Sequence, residues 1–486
     1  VCGSDRSRYA AMVVTPGGGH SVSGSGTRIA SISGLRGVVG DGLDPVVAAE
    51  FAAAYASECG PGPIIVGHDA RISAPMFTAA VQSAVMATGH DAFLVGPTAT
   101  PTIGVLVREF QAAGGIQISA SHNPPTYNGL KFFQRAGMVL NQAQGSALLD
   151  RWHRRDFRWA SWQSLGKSRQ LDDPDRSHLE RVLGIVDSAA IARHQFKVVL
   201  DACHGAGGRM AAAMLDALGC RTTILGSVPD GRYDHPPEPT ETNLAEFCRV
   251  VPAVGAAVGF AQDPDADRVA IVDQTGRYIG EELTLALAAA GRLAQEKGPI
   301  VLNLSTSRVT EDLARRGGCP VFRTAVGEIN VVERMMAENA LLGGEGNGGV
   351  IDPRVGYVRD SFVAMAAILD LLAVTGATLS EIVSTLPRYA MIKDQYPLID
   401  TRGGGSPSPT DPSAVGALWD RISAACPEAR ADRRDGLRLD WDDRWVHIRV
   451  SNTEPIVRVI AEAAEAREAR ELANVIGRFV RAESEN

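Results

Sequence analysis

The chain has 486 residues, length for three or four domains, with 45% apolar and 21% charged residues, an ordinary globular balance. A formal net charge of −8 argues against a broad nucleic-acid surface, and no run approaches the roughly 20 apolar residues of a membrane span. The seven cysteines (Cys2, Cys59, Cys203, Cys220, Cys248, Cys319 and Cys426) are scattered, with no Cys-x-x-Cys pair. A disulfide framework or structural zinc site is not expected, and a reducing cytoplasm fits.

Residues 1–27 read as a disordered leader, or as sequence upstream of the true start. Thr15 to Thr27 is mostly Gly and Ser and lacks the apolar core of a secretory signal. Organisation begins at Ile29. Ser33-Gly34-Leu35-Arg36-Gly37 is a Gly-rich turn with one arginine, and Asp44-Pro45 caps and opens a helix. Pro63 to Gly67 reads as a strand ending near Arg71, Ser73 to Thr88 as a helix, and Phe93 to Gly96 as a strand. This alternation predicts a mainly parallel sheet between helices, with ligands beyond the carboxyl ends of the strands. Ile116 to Ile118 then runs into Ser119-Ala120-Ser121-His122-Asn123-Pro124-Pro125, a strand ending in a sharp turn. Taken alone it is either a hydrogen-bonded loop start or a serine presented for chemistry, which needs a neighbouring base or metal.

A second unit starts near Phe196. Its Gly205-Ala206-Gly207-Gly208 turn lacks the full dinucleotide pattern and reads as helix–strand packing. It leads to Asp263-Pro264-Asp265-Ala266-Asp267-Arg268, between two apolar strands. Three alternating carboxylates are either a solvated acidic turn or oxygen ligands for Mg²⁺ or Ca²⁺. An EF-hand is excluded because its sixth and twelfth places hold Arg268 and Gln274. In a third unit, Gly343 to Gly349 has five glycines in seven residues and displays Glu345 and Asn347, either as a flexible loop or as a grip on sugar hydroxyls. Asp360 caps an apolar helix over Phe362 to Leu372. The last unit follows Pro387, contains a flexible insert from Gly403 to Pro412, and reads as α+β. Its loop Arg449 to Pro455, with Arg458, is either a surface turn or a site for a phosphate dianion.

These ordered loops resemble those of the α-D-phosphohexomutases from Ile29 to the end of the chain. The Ser119 to Pro124 turn with Lys131 looks like the family's phosphoserine loop, Asp263 to Arg268 its metal loop, Gly344 to Gly349 its sugar loop and Arg449 to Pro455 its phosphate loop. The resemblance implies an α/β protein: three doubly wound α/β/α domains (28–165, 166–276, 277–386) and a C-terminal α+β lid (387–486), heart-shaped with a central cleft. It implies that Ser121 carries a phosphoryl group and, with Asp263, Asp265 and Asp267, holds one Mg²⁺. Arg36, Lys131 and Arg268 would neutralise charge, and Lys131 or His122 would handle the hydroxyl proton. Gly327, Glu345 and Asn347 would meet the sugar, and Arg449, Ser451, Asn452, Thr453 and Arg458 its phosphate. The expected partner is a small sugar phosphate, with hexose 1,6-bisphosphate as intermediate and activator, no nucleic acid or membrane, and a monomer or homodimer in the cytoplasm.

Many family members carry Ser and His where this chain has Asn347 and Gly349, so that histidine's role does not transfer. The Gly-Glu-Gly-Asn-Gly-Gly form looks most like the archaeal-type phosphoglucosamine mutase branch, which favours glucosamine phosphate over glucose or mannose phosphate. A non-catalytic sugar-phosphate-binding homologue and a phosphate-releasing hydrolase are the alternatives. Loss of Ser121 or an aspartate would signal the first, and none is lost.

Overall fold

The helix that Asp44-Pro45 predicts runs Pro45–Glu58, with Asp44 Oδ1 accepting from Val47 N at 2.9 Å. It belongs to a computed structural model that describes residues 28–31, 34–397, 412–450 and 456–485. The first sheet has the order Arg28–Ser31, Gly34–Val39, Tyr127–Gln134, Gly114–Ile118, Ile64–His68, Ala92–Pro97, Ser168–Gln170, with Gly42–Leu43 beside Gly34–Val39. Ile64–His68 is parallel to both its neighbours, but Tyr127–Gln134 is antiparallel to Gly114–Ile118 and to Gly34–Val39. The sheet is therefore mixed rather than mainly parallel. The Ser119 to Thr126 connection is too short for a helical crossover, so the chain must return antiparallel.

The same device recurs twice. In the second sheet (Arg221–Leu225, Lys197–Asp201, Val258–Gln262, Val269–Asp273) only the last pair is antiparallel, and the aspartate turn joins it. In the third (Val321–Thr324, Ile300–Asn303, Leu342–Glu345, Gly349–Ile351) the last pair is again a hairpin. What the glycine run suggested as a loop is thus two strands and a tight turn. Each of these three loops is a hairpin turn at the carboxyl end of a buried strand, where open α/β sheets hold ligands.

The second and third units share one apolar core, which includes Leu200, Phe260, Ile271, Leu287, Phe362 and Leu369. The first unit packs its own around Phe51, Ile64, Ile116 and Phe132. A buried polar junction ties all three together. Thr102 Oγ1 donates to His178 Nδ1 at 2.8 Å, and His178 Nε2 donates to Asp360 Oδ2 at 2.6 Å. Asp360 Oδ1 also accepts from Phe362 N and Val363 N, which caps the apolar helix Ser361–Thr375. That helix is core, and no single helix among the described residues is long and apolar enough to cross a membrane.

The fourth sheet is antiparallel throughout: Ala390–Pro397, Ile456–Ala463, Trp445–Val450, Leu437–Asp440, Arg430–Asp432. It packs Val446, Val459 and Ile476 in a separate core with the helices Pro412–Ala425 and Ala466–Glu485.

Candidate active site

Ser121 takes φ +50°, a left-handed conformation uncommon for a residue other than glycine. The surroundings hold it there. Arg71, 2% exposed, donates to the carbonyl oxygens of Ser121, Asn123, Pro124 and Tyr127 at 2.6–3.0 Å. Asp69 Oδ2 accepts from Arg71 Nε at 2.9 Å and from Ser119 Oγ at 2.8 Å, and Ser119 Oγ in turn accepts from Ser121 N. Arg71 is therefore the scaffold of the serine turn, with its guanidinium spent on those carbonyls and Asp69. Strain held by so many bonds is a mark of functional sites.

The aspartate turn closes over this serine. Ser121 Oγ donates to Asp263 Oδ2 at 2.9 Å, across two units of the fold. Asp263, Asp265 and Asp267 are fully buried and present ligand oxygens within 4.8 Å of one another. Lys131 Nζ, on the strand opposite Gln117, reaches Asp265 Oδ2 at 2.6 Å and Asp267 Oδ2 at 3.0 Å. Burial lowers the Lys131 pKa, but the two aspartates outweigh it and raise it overall, so this amine is a cation. Arg268 lies 3.0 Å from Asp263 Oδ2, and Thr100 Oγ1 donates to Asp265 Oδ2 at 2.6 Å. Burial and then Asp267 raise the Asp263 pKa, the expected response of clustered carboxylates in a dry site. Asp265 Oδ1 is buried with no hydrogen-bond partner, and Asp267 Oδ1 makes no hydrogen bond and has Arg268 Nε at 3.6 Å. An unpaired carboxylate oxygen at this depth is costly unless a cation takes it, and an all-oxygen set suits a hard divalent ion. The residues present fit a metal.

Arg36 and His122 border the same serine. Arg36 Nη1 donates to Asn123 Oδ1 at 3.0 Å. His122 Nδ1 is 3.4 Å from Ser121 Oγ, and burial, then Arg268 and Arg36, push its pKa down to about 3. The ring is therefore held neutral.

The sugar hairpin is less open than the sequence suggests. Glu345 Oε1 accepts from Asn303 Nδ2 at 2.8 Å and from Gly327 N at 3.1 Å. Its Oε2 accepts from Arg359 Nη1 at 2.7 Å and, more distantly, from Asn347 Nδ2 at 3.5 Å. A carboxylate has about four acceptor positions, so Glu345 cannot grip two sugar groups without giving up a protein partner. Asn347 folds back on its own turn, accepting from Gly349 N at 3.3 Å. No sequence motif marks Arg359. Its Nη2 also donates to Asp267 Oδ2 at 2.7 Å, which links the sugar hairpin to the aspartate turn.

In the fourth unit Arg449 and Arg458 stand directly opposite one another across an antiparallel pair. Like charges so placed repel unless an anion lies between or beside them. Asp435 Oδ2 lies 2.9 Å from Arg449 Nε and accepts from Val326 N at 2.8 Å, beside Gly327. Ser451, Asn452 and Thr453 lie outside the described residues.

The joint between the third and fourth units is polar. Arg308 donates to the carbonyls of Trp441 and Asp442, Lys393 pairs with Glu281 and Glu282, and His447 bridges Ser305 and the Asp435 carbonyl at 2.9 and 2.7 Å. Burial, with Arg438 and Arg449 nearby, pushes the His447 pKa down to about 4 against the opposing pull of Asp435. Charging this ring is disfavoured in the folded state. The stability it contributes is present above its ordinary pKa of 6.5 and is lost as pH falls from there toward 4. Tm should therefore drop by a few degrees across that window, and His447→Gln should flatten the slope. Parallel slopes by calorimetry would remove His447 as the sensor.

Family models described as phosphoglucomutase/phosphomannomutase α/β/α domains I, II and III match residues 28–159, 176–276 and 280–389, and the C-terminal domain model matches 420–477. The chain belongs to the phosphoglucomutase/phosphomannomutase family. This phosphohexomutase is 35% identical to a "Phosphoglucomutase/phosphomannomutase" of Thermococcus kodakarensis, over 88% of this chain and 93% of that one. It is 32% identical to a "Probable phosphoglucosamine mutase" of Methanopyrus kandleri, over 92% and 97%. A crystal structure of a phosphoglucomutase/phosphomannomutase family protein from Burkholderia thailandensis superposes with a TM-score of 0.79 at 26% identity, covering 94% of this chain and 97% of that one. The family is one of mutases, which move phosphoryl groups within sugar phosphates, and that activity agrees with the site.

Proposed function

We propose that this phosphohexomutase interconverts hexose 6-phosphate and hexose 1-phosphate through phosphorylated Ser121 and a hexose 1,6-bisphosphate. The observation that carries the reading is the Ser121 Oγ–Asp263 Oδ2 contact of 2.9 Å inside three buried carboxylates. Phosphoserine would give its phosphoryl group to the free hydroxyl of the sugar phosphate. The bisphosphate would turn over and return its other phosphate to Ser121, so phosphate is conserved. Mg²⁺ held by the three aspartates and the Ser121 phosphate would supply charge neutralisation. Arg268, within 3.5 Å of Ser121 Oγ, and Arg36 would neutralise the phosphoryl oxygens. Lys131 or His122 would handle the hydroxyl proton. Arg449 and Arg458, with Ser451, Asn452 and Thr453, would hold the non-reacting phosphate. The chain would act in the cytoplasm as a monomer or homodimer, with a hexose bisphosphate as activator.

For the sugar, we propose glucosamine 6-phosphate, a reading supported by the Gly-Asn-Gly-Gly hairpin and the names of several archaeal relatives. One observation favours glucose or mannose phosphate instead. Arg359 already offsets the charge of Glu345, which lessens its attraction for an ammonium group at carbon 2. Side-by-side kcat/KM values for glucosamine, glucose and mannose 6-phosphates, each primed with its bisphosphate, separate the readings. Highest efficiency is expected for glucosamine 6-phosphate. A preference of about tenfold or more for either neutral sugar would replace it.

A further inference from the structure

Gly349 faces Glu345 directly across the third-unit hairpin. A Cβ at Gly349 would lie 2.3 Å from Cδ, 2.9 Å from Cγ and 3.2 Å from Cβ of Arg359. The arginine side chain thus occupies the space that a side chain at position 349 would need. Contact reaches back to the Arg359 Cβ, so a swing of the guanidinium alone cannot relieve it. From this path the fork spans two loops, with Nη1 on Glu345 Oε2 and Nη2 on Asp267 Oδ2, both at 2.7 Å. Glu328 sets the root, with Oε1 accepting from Arg359 N at 2.8 Å and Oε2 lying 3.5 Å from Nε. The next residue, Asp360, is pinned by His178 and caps its helix.

We propose that Arg359 is a positioning residue that locks the sugar-facing carboxylate Glu345 to the metal-facing carboxylate Asp267, and that Gly349 is the opening through which it does so. The inference rests on the proposed mutase reading for what Glu345 and Asp267 face, but not on which hexose is used. Only a planar fork reaches both carboxylates together, so lysine cannot replace it. The lock orients Glu345 toward the sugar and places a fixed positive charge on Asp267. These two effects give the arginine opposite signatures in its two neighbouring sites.

The test uses the full-length enzyme and two readouts. One is the KM for glucosamine 6-phosphate and for mannose 6-phosphate. The other is Mn²⁺ binding without sugar, followed by the electron paramagnetic resonance of free Mn²⁺. Arg359→Ala should raise the KM of whichever sugar is turned over by about tenfold or more, because Glu345 Oε2 loses its nearer partner, at 2.7 Å, and only Asn347 Nδ2 at 3.5 Å remains on it. The same variant should bind Mn²⁺ more tightly, by about threefold or more, because a cation has left Asp267. Arg359→Lys should return Mn²⁺ affinity to within about twofold of wild type and leave KM raised. Gly349→Ala should raise KM as Arg359→Ala does, and in the Arg359→Ala background should add less than about twofold. Additive effects of the two substitutions would overturn the proposal, as would unchanged or weaker Mn²⁺ binding in Arg359→Ala. If Arg359→Ala gives no cooperative melting transition, the split between KM and Mn²⁺ affinity in Arg359→Lys decides. Absence of turnover with every hexose phosphate would defeat the mutase reading, while the Mn²⁺ measurements would still judge the lock.

Discussion

Ser121→Ala should lower kcat by roughly four orders of magnitude or more, as loss of a covalent carrier does elsewhere. The hydroxyl is the group that the aspartate turn, Arg268 and His122 all approach, at 2.9, 3.5 and 3.4 Å respectively. Intact-mass and peptide mapping after incubation with a hexose bisphosphate should find phosphate on Ser121 in the wild type and none in the variant. Folding should survive, since Arg71 binds the turn through backbone carbonyls rather than the serine side chain. Ser121→Gly separates chemistry from backbone strain. At φ +50° glycine is the more comfortable residue, so this variant should be at least as stable as Ser121→Ala and equally inactive. Turnover within tenfold of wild type in either variant, or phosphate on His122, would remove Ser121 as the carrier.

The parts of this site legible in the sequence are those where one short segment carries both the chemistry and its presentation. Ser121 and the aspartates stand in turns bounded by apolar strands, so residue order alone places them at sheet edges. Asp44 and Asp360 were equally readable as helix caps, because capping is a local event. Longer-range consequences were not readable. The helix Thr100–Glu109 begins inside the Pro97 to Pro101 segment, where proline is tolerated in a first helical turn but marks no helix by itself. Its Thr100 then binds Asp265 from another unit. Likewise, the sequence cannot reveal that Arg71 supports the serine turn by binding its carbonyls.

Arg359 shows the same limit most sharply. It lies beyond the hairpin in a stretch with no motif, and its two carboxylate partners come from separate loops. The available signal was indirect: a glycine at 349 where relatives often have a side chain. A missing side chain signals a neighbour only when the neighbour is known, and that takes coordinates. The five glycines of the hairpin gave no such discrimination either. Gly346 lies against the Glu282 carboxylate and Gly348 against the Val269 backbone, so the run is there for close packing and not for looseness.

Asp265→Asn should lower kcat by about two to four orders of magnitude and abolish the rise in Tm that Mg²⁺ gives the wild type. Asp265 Oδ2 is committed to Thr100 Oγ1 and Lys131 Nζ, both at 2.6 Å, while Oδ1 is buried and unpartnered. An asparagine oxygen can keep the first two bonds, which leaves its amide nitrogen where the free oxygen was. A donor group then faces the cation, and the charge is lost as well. The reverse amide orientation instead presents N–H groups to Thr100 and Lys131, so neither arrangement restores the site. Thr100→Val is the matched control. It removes a buried bond but leaves the carboxylate charge, so it should weaken Mg²⁺ by a few-fold and retain most of the rate. Chelator should inactivate the wild type reversibly and have nothing left to remove from Asp265→Asn. If the asparagine variant keeps its Mg²⁺-dependent Tm rise, or Thr100→Val loses as much, the aspartates act through packing rather than as ligands. In that event the charge-neutralising step of the phosphoryl transfer would fall to Arg268, Arg36 and Lys131 alone.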